Sequence, residues 1–376
     1  MADRLVSAAL PDCPARASAG DSWQAILAEA VRSPAELCRL LALPPDMAVE
    51  AERAASTFPM LVPRTYLARI RPGQPDDPLL AQVLPRGQEQ TDVPEFVADP
   101  LGEAAATCER RWLRKYNGRL LILSSRACGV HCRFCFRRHF PYSADEKGGE
   151  RGGRDLLCPA PGTDAQRWSW PFRQQVPDPF FAGWRQAIGR VAAEPSIEEV
   201  VLSGGDPLVL SDGQLAEIVA QLARIAHVRR IRIHTRLPVV IPQRVGDELL
   251  ALLRGTRLTS VVVLHVNHAA EIDAAVAAAL GRLVDAGVPL LSQTVLLRGV
   301  NDSVETLAEL FARLVDLRVM PYYLHQLDRV AGAAHFEVPP ARGVALVREL
   351  RARLPGYAVP RYVRDTPGAA NKEVLA

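Results

Sequence analysis

Three thiols crowd one short stretch, Cys128-Gly129-Val130-His131-Cys132-Arg133-Phe134-Cys135. The C-x3-C-x2-C spacing lets three thiolates converge on one soft centre. An iron–sulfur cube normally takes four Cys ligands. A local trio therefore predicts one iron left without a protein ligand, where a small molecule can bind and react. The rival is a structural zinc site with His131 as fourth ligand. Such sites usually pair two knuckles, and no second knuckle occurs in this sequence.

Other residues gain interest from their position relative to this loop. Gly204-Gly205-Asp206 follows a strand-like run. Glycine has no Cβ, so backbone there can approach a ligand and hold an amino-acid moiety; a plain β–α turn is the rival. Arg137 lies two residues past Cys135 and has the fork that grips a carboxylate; the rival is a surface arginine in the basic run Arg137-Arg138-His139. Lys115 and Arg119 flank the start of a strand and could hold a phosphate, though basic pairs are more often solvated. Lys372 reads on spacing alone as a tail lysine. The segment before it, 365–371, is compact and rich in small residues, so it can fold into a cavity mouth.

These residues need elements to position them. Apolar, β-branched runs of strand length fall at 119–125, 198–203, 229–234, 260–266, 290–296 and 319–324. Helical patterns lie between, at 213–225, 246–253, 271–285 and 303–314, with Asp302 as a candidate cap for the last. Alternation of strand and helix predicts parallel strands joined by right-handed crossovers. Six units predict an α/β fold with a partial (β/α)6 barrel; a doubly wound open sheet is the rival. Barrels place chemistry at the C-terminal ends of strands. Here those ends carry the cysteine loop, the Gly-Gly-Asp turn, His234-Thr235-Arg236, His265 and His325-Gln326, with Asp328 just beyond. Residues 145–177, which hold Cys158 and two tryptophans, read as a long inserted loop.

The first hundred residues read as proline-broken helices, at 22–29, 34–43 and 58–70, with Ser33 capping before Pro34 and Pro63 interrupting the third. Three parts are expected: a helical region 1–105, a barrel 106–345 and a C-terminal segment 346–376. The chain has 376 residues and a formal charge of +3 in mixed-sign sequence. That balance gives no reason to expect nucleic acid or a membrane as partner. The seven cysteines are too unevenly placed for a disulfide framework, which favours a reducing cytoplasm. No signal-peptide pattern opens the chain.

From about Tyr116 to Lys372 the chain resembles the lysine 2,3-aminomutase family of radical S-adenosylmethionine (SAM), pyridoxal phosphate (PLP)-dependent enzymes. The resemblance rests on CGVHCRFCFRRHF (128–140), LSGGDPL (202–208), RLPVVIPQR (236–244), VNHAAEI (266–272), QTVLLRGVND (293–302), MPYYLHQLD (320–328) and DTPGAANK (365–372). HFPY (139–142) and GAAHF (332–336) are most similar to the short bacterial branch that makes (R)-β-lysine for elongation factor P. The chain ends four residues after Lys372, so the zinc-binding extension and tetrameric assembly of the longer aminomutases are not expected.

The resemblance implies a radical SAM barrel with a C-terminal PLP-lysine tail. It implies that Cys128, Cys132 and Cys135 hold a [4Fe–4S] cluster whose open iron binds SAM. Gly204, Gly205 and Asp206 match the turn for the SAM amino group, and Lys372 the lysine that carries PLP. Lys115 and Arg119 fall at the PLP phosphate, and His265 and Gln293 near the SAM and PLP contacts. Arg137 matches the residue for the substrate carboxylate; Asp328 and Asp365 match those for the distal ammonium of lysine. The implied activity is conversion of free L-α-lysine to (R)-β-lysine, with an external electron donor and a downstream ligase acting on elongation factor P. The alternatives are metabolic lysine, glutamate or arginine aminomutases and a non-catalytic iron–sulfur protein. Departures from the family pattern are Gly-Ala-Ala-Asn before Lys372, Ser292, and the length of the 145–177 insertion.

Overall fold

The computed structural model describes residues 22–103, 107–108, 112–140 and 179–376. The expected insertion at 145–177, with Cys158, lies outside the described residues, as does Cys13.

The N-terminal region is helical and broken by proline. It comprises α1 (Trp23–Ala28), α2 (Pro34–Leu40), α3 (Pro45–Ala55), α4 (Arg64–Leu67) and α5 (Pro78–Ala81). Ser33 caps α2 through Glu36 N, with Pro34 where a missing N–H costs nothing. The helix expected over 58–70 shrinks to α4, because Pro63 can only stand before the first turn.

Two short strands, β1 (Thr107–Cys108) and β2 (Trp112–Leu113), lead into β3 (Arg119–Ser125). Then follow α6 (Pro179–Ala193), β4 (Glu199–Gly204), α7 (Asp212–Ala223), β5 (Arg230–Thr235), α8 (Leu237–Val240) and α9 (Asp247–Gly255). The chain continues through β6 (Thr259–His265), α10 (Ala274–Asp285), β7 (Leu290–Val295), α11 (Val304–Asp316) and β8 (Met320–His325). It closes with α12 (Pro340–Arg353), β9 (Arg361–Arg364) and β10 (Glu373–Val374). Ser303 rather than Asp302 caps α11, through Thr306 N; Asp302 instead accepts from Gly299 N.

The ten strands form one sheet in sequence order, with β3 to β9 parallel and β1, β2 and β10 antiparallel at its edges. A doubly wound sheet must reverse strand order somewhere. This one never does, so right-handed crossovers put the helices that connect its parallel strands on one face and curl the sheet into a partial barrel. Seven parallel strands stand where six were expected. The seventh, β9, joins β8 at Tyr323↔Arg361, and α12 before it runs across residue 345 without a break.

One apolar core runs from Trp23 through the helix-facing side of the strands to Tyr362, so the N-terminal region packs into the barrel. Arg244, 1% exposed, ties them together. It donates to Leu208 O and Leu210 O, pairs with Asp212 and lies 4.9 Å over the Trp23 ring.

Candidate active site

Successive side chains on a strand point to opposite faces. Leu120, Ile122, Val200, Leu202, Ile231 and Ile233 are buried in the core, while Arg119, Leu121, Val201, Ser203, Arg232 and His234 line a cavity on the other face. That cavity, of about 570 Å³, is also lined by His265, Gln293, Tyr323 and His325 from later strands. Cys128, Cys132, Cys135, Lys115, Arg137, Gly204, Gly205, Asp206, Asp328, Asp365 and Lys372 complete the expected set on its wall.

The three cysteines are free, and burial followed by the neighbouring thiols pushes Cys128 up and Cys135 to about 11. Ligation would therefore release protons. His131 faces away from a ligand role: Nδ1 lies 2.9 Å from Pro59 O and the ring stacks on Phe58. Among the described residues no three His, Cys, Asp or Glu gather round a single ion. The N-terminal region clamps the loop. His131 N donates to Leu61 O and Arg133 N to Gln82 O. Arg133 and Arg138 both pair with the buried carboxylate of Glu89.

The Gly-Gly-Asp turn is pressed against this loop. Gly205 N donates to Ser125 O at 2.8 Å and Asp206 N to Ala127 O at 2.7 Å. A Cβ on Gly204, whose φ is +119°, would lie 2.5 Å from Ser125 O; one on Gly205 would lie 2.1 Å from Ala127 O. Close approach of their own chain thus requires both glycines. The Asp206 carboxylate accepts from Leu208 N, Thr235 Oγ1, Arg236 N and Leu237 N, so it fastens the ends of β4 and β5 together.

Arg137 is 9% exposed and its fork is held by Glu103, at 2.6 and 3.0 Å, with Nη1 on Ser203 Oγ at 3.1 Å. Lys115 also pairs with Glu103, at 2.8 Å. Burial opposes the charge of Glu103, but these two cations hold its carboxyl below the usual range. Arg119 lies 4.5 Å over the Tyr116 ring.

Lys372 stands on a hairpin, because β10 pairs back onto β9. Its Nζ is bound by Asp365, whose other oxygen accepts from Tyr116 Oη at 2.6 Å. Burial opposes the Asp365 charge, yet Lys372 and Tyr116 outweigh it and hold this carboxyl at about 2. Asp328 makes no hydrogen bond or ion pair through its carboxyl within the described residues. Burial, reinforced by Asp365, pushes it to about 7.

His234 Nε2 and His325 Nε2 are buried without partners, and both residues line the cavity. Burial lowers His234 and His325 well below the ordinary histidine range and His265 to about 4, so the three imidazoles are neutral. Orphaned nitrogens facing a cavity fit a bound cofactor. A cationic rim of Lys115 and Arg119 and a lysine at the mouth fit a phosphate-bearing aldehyde such as PLP. Three thiols on one loop fit an iron–sulfur cluster. Nothing in the sequence marks Glu103 or Tyr116, and His234, Arg236 and His325 stand out there only by their place at strand ends. The period-two alternation along β5 and β8 carried a signal for the histidines, whereas Glu103 lies far from any motif.

Comparison with known proteins adds to this geometry. Residues 122–311 match the radical SAM superfamily. The chain is 40% identical over 356 residues to L-lysine 2,3-aminomutase of Escherichia coli, covering 94% of each. It is 39% identical to L-lysine 2,3-aminomutase of Haemophilus influenzae, covering 94% of this chain and 96% of that one. To the Clostridium subterminale protein of the same name the identity is 32%, over 94% of this chain and 77% of that one.

Proposed function

Because the chain belongs to the L-lysine 2,3-aminomutase family of radical SAM enzymes, we propose that it converts free L-lysine to (R)-β-lysine for elongation factor P. The family makes it an isomerase that uses a [4Fe–4S] cluster and SAM; PLP, the product's handedness and its destination are our reading. When bound, the cluster and SAM supply a carbon-centred radical and PLP an electron sink for amino migration.

The chain's own residues bind and orient. Cys128, Cys132 and Cys135 would hold the cluster, and the Gly204-Gly205-Asp206 turn beside them would receive the amino group of SAM. Lys115 and Arg119 take the PLP phosphate, and His265 and Gln293 contact the cofactors. Lys372 carries PLP. The neutral imidazoles of His234, His265 and His325 add no charge to the cavity wall. Arg137 takes the substrate carboxylate, which exchanges with Glu103 on the fork.

The observation that carries this reading is the Lys372 ammonium seated on Asp365 beside unpaired Asp328. That site already accepts an alkylammonium, and it would suit the distal ammonium of lysine if Lys372 were turned to PLP. Two carboxylates there disfavour glutamate. An external one-electron donor reduces the cluster, and a separate ligase takes the β-lysine.

Asp365→Asn and Asp328→Asn test this. Each removes one of the two carboxylates and leaves the lysine cation partly unpaired, at roughly 3–5 kcal/mol, which lowers kcat/KM for lysine at least about a hundredfold. PLP loading and SAM cleavage should persist. Parent-like turnover in both variants sinks the lysine pocket. Chiral chromatography of the product checks the (R) assignment. A mass gain on elongation factor P, with the ligase added, checks the destination.

A further inference from the structure

Two of the motifs, RLPVVIPQR and VNHAAEI, hold no assigned site residue, yet they meet at the cysteine loop. Arg236, from the first, is 6% exposed. Its Nη2 donates to Glu271 Oε2, from the second, at 2.9 Å and to Gln82 Oε1 at 2.7 Å. Glu271 is wholly buried, and its other oxygen accepts from Asn267 N at 2.9 Å and His268 N at 3.1 Å. One edge of the guanidinium is thus locked. The other edge points Nη1 at Cys132 Sγ, 2.7 Å away.

We propose that Arg236 is a positioning residue for the iron–sulfur cluster: pinned by Glu271, its guanidinium donates to the Cys132 sulfur and raises the cluster's reduction potential. The proposal rests on the assignment of Cys132 as a ligand. Reduction adds one electron to the cluster, taken from a low-potential donor. A fixed cation at a ligating sulfur stabilises the added negative charge, and hydrogen bonds to sulfur tune such potentials. Glu271 lies behind Arg236, further from the sulfur, so it weakens this effect without cancelling it. Its role is to hold the guanidinium in place. A lone buried arginine would otherwise pay a large desolvation cost.

The test is a dithionite titration, followed by electron paramagnetic resonance, on reconstituted full-length protein. Arg236→Met should move the midpoint to more negative potential by at least a tenfold change in the reduced-to-oxidised ratio, about 59 mV for one electron. Arg236→Lys should recover most of the shift. Glu271→Gln, which keeps the cation, should move the midpoint the other way. Arg236→Met leaves Glu271 unpaired, so the double variant with Glu271→Gln serves where the single one fails to fold; it should lie negative of Glu271→Gln alone. Iron and sulfide content should match the parent throughout. Parent-like midpoints at full iron content overturn the proposal. So does loss of SAM affinity at an unchanged midpoint, which would move Arg236 into the SAM site. Loss of iron from every Arg236 variant in otherwise folded protein also overturns it, making the residue a scaffold only. Absence of any cluster in the parent would instead defeat the ligand assignment itself.

Discussion

At the scale of single residues, two aspartates of one type are driven to opposite ends of the carboxylate range. Asp365, held at about 2 by Lys372 and Tyr116 against the opposing effect of burial, stays ionised at any working pH. Its stabilisation is present above the ordinary value of about 3.9 and is lost only as pH falls toward 2. Asp328, pushed to about 7 by burial and by Asp365, carries a proton below that pH while the cavity is empty. An incoming ammonium must expel that proton, so KM for lysine should rise as pH falls through 7. Asp328→Asn should flatten that rise. Identical KM profiles for parent and variant between pH 5.5 and 8 would remove Asp328 from the ammonium site. Motif words located Asp328 and Asp365 in the sequence, but the contrast between them depends on packing from strands far apart in the chain. Glu103 was illegible for the same reason: it reaches Arg137 across 34 residues, and no local pattern marks it.

Among the elements, the turn after β4 does most to join cofactor loop and barrel. A methyl on Gly205 would meet the Ala127 carbonyl at 2.1 Å, and backbone cannot yield as a flexible side chain does. Gly205→Ala should therefore displace the cysteine loop and cut the iron retained after reconstitution several-fold, with the far-ultraviolet spectrum unchanged. Gly213→Ala in α7, where nothing lies within 4 Å, should retain iron and gain roughly 0.5–1 kcal/mol. Equal iron in both variants would contradict the packing account. Six of the parallel strands were legible because their apolar, β-branched runs stand between clear helical patterns. The seventh, Arg361-Tyr362-Val363-Arg364, was not: it is four residues long with exposed arginines at both ends. The order of strands settles the choice between a barrel and a doubly wound sheet, and periodicity alone could not.

For the whole molecule, the N-terminal helices are part of the catalytic body. Their core is continuous with that of the barrel, and Glu89 neutralises Arg133 and Arg138 beneath the cysteine loop. The side chain of Glu89 is fully buried, so Glu89→Gln strands two buried cations. Unfolding of the cofactor-free protein should become easier by about 3–5 kcal/mol; a parent-like denaturant midpoint would show that the clamp is dispensable. In the sequence this region reads only as proline-broken helices, because its ties to the cysteine loop and the basic run beside it go through backbone carbonyls and two distant carboxylates, Glu89 and Glu103. Among the described residues no helix is long and apolar enough to cross a membrane. The central proposal is that one cavity moves the amino group of free lysine. The most direct measurement is chromatography of amino acids after anaerobic incubation of the reconstituted protein with SAM, PLP and a reductant. β-Lysine should accumulate from lysine, with no β-amino acid from glutamate or arginine. A full cluster that cleaves SAM yet leaves lysine unchanged would contradict the claim.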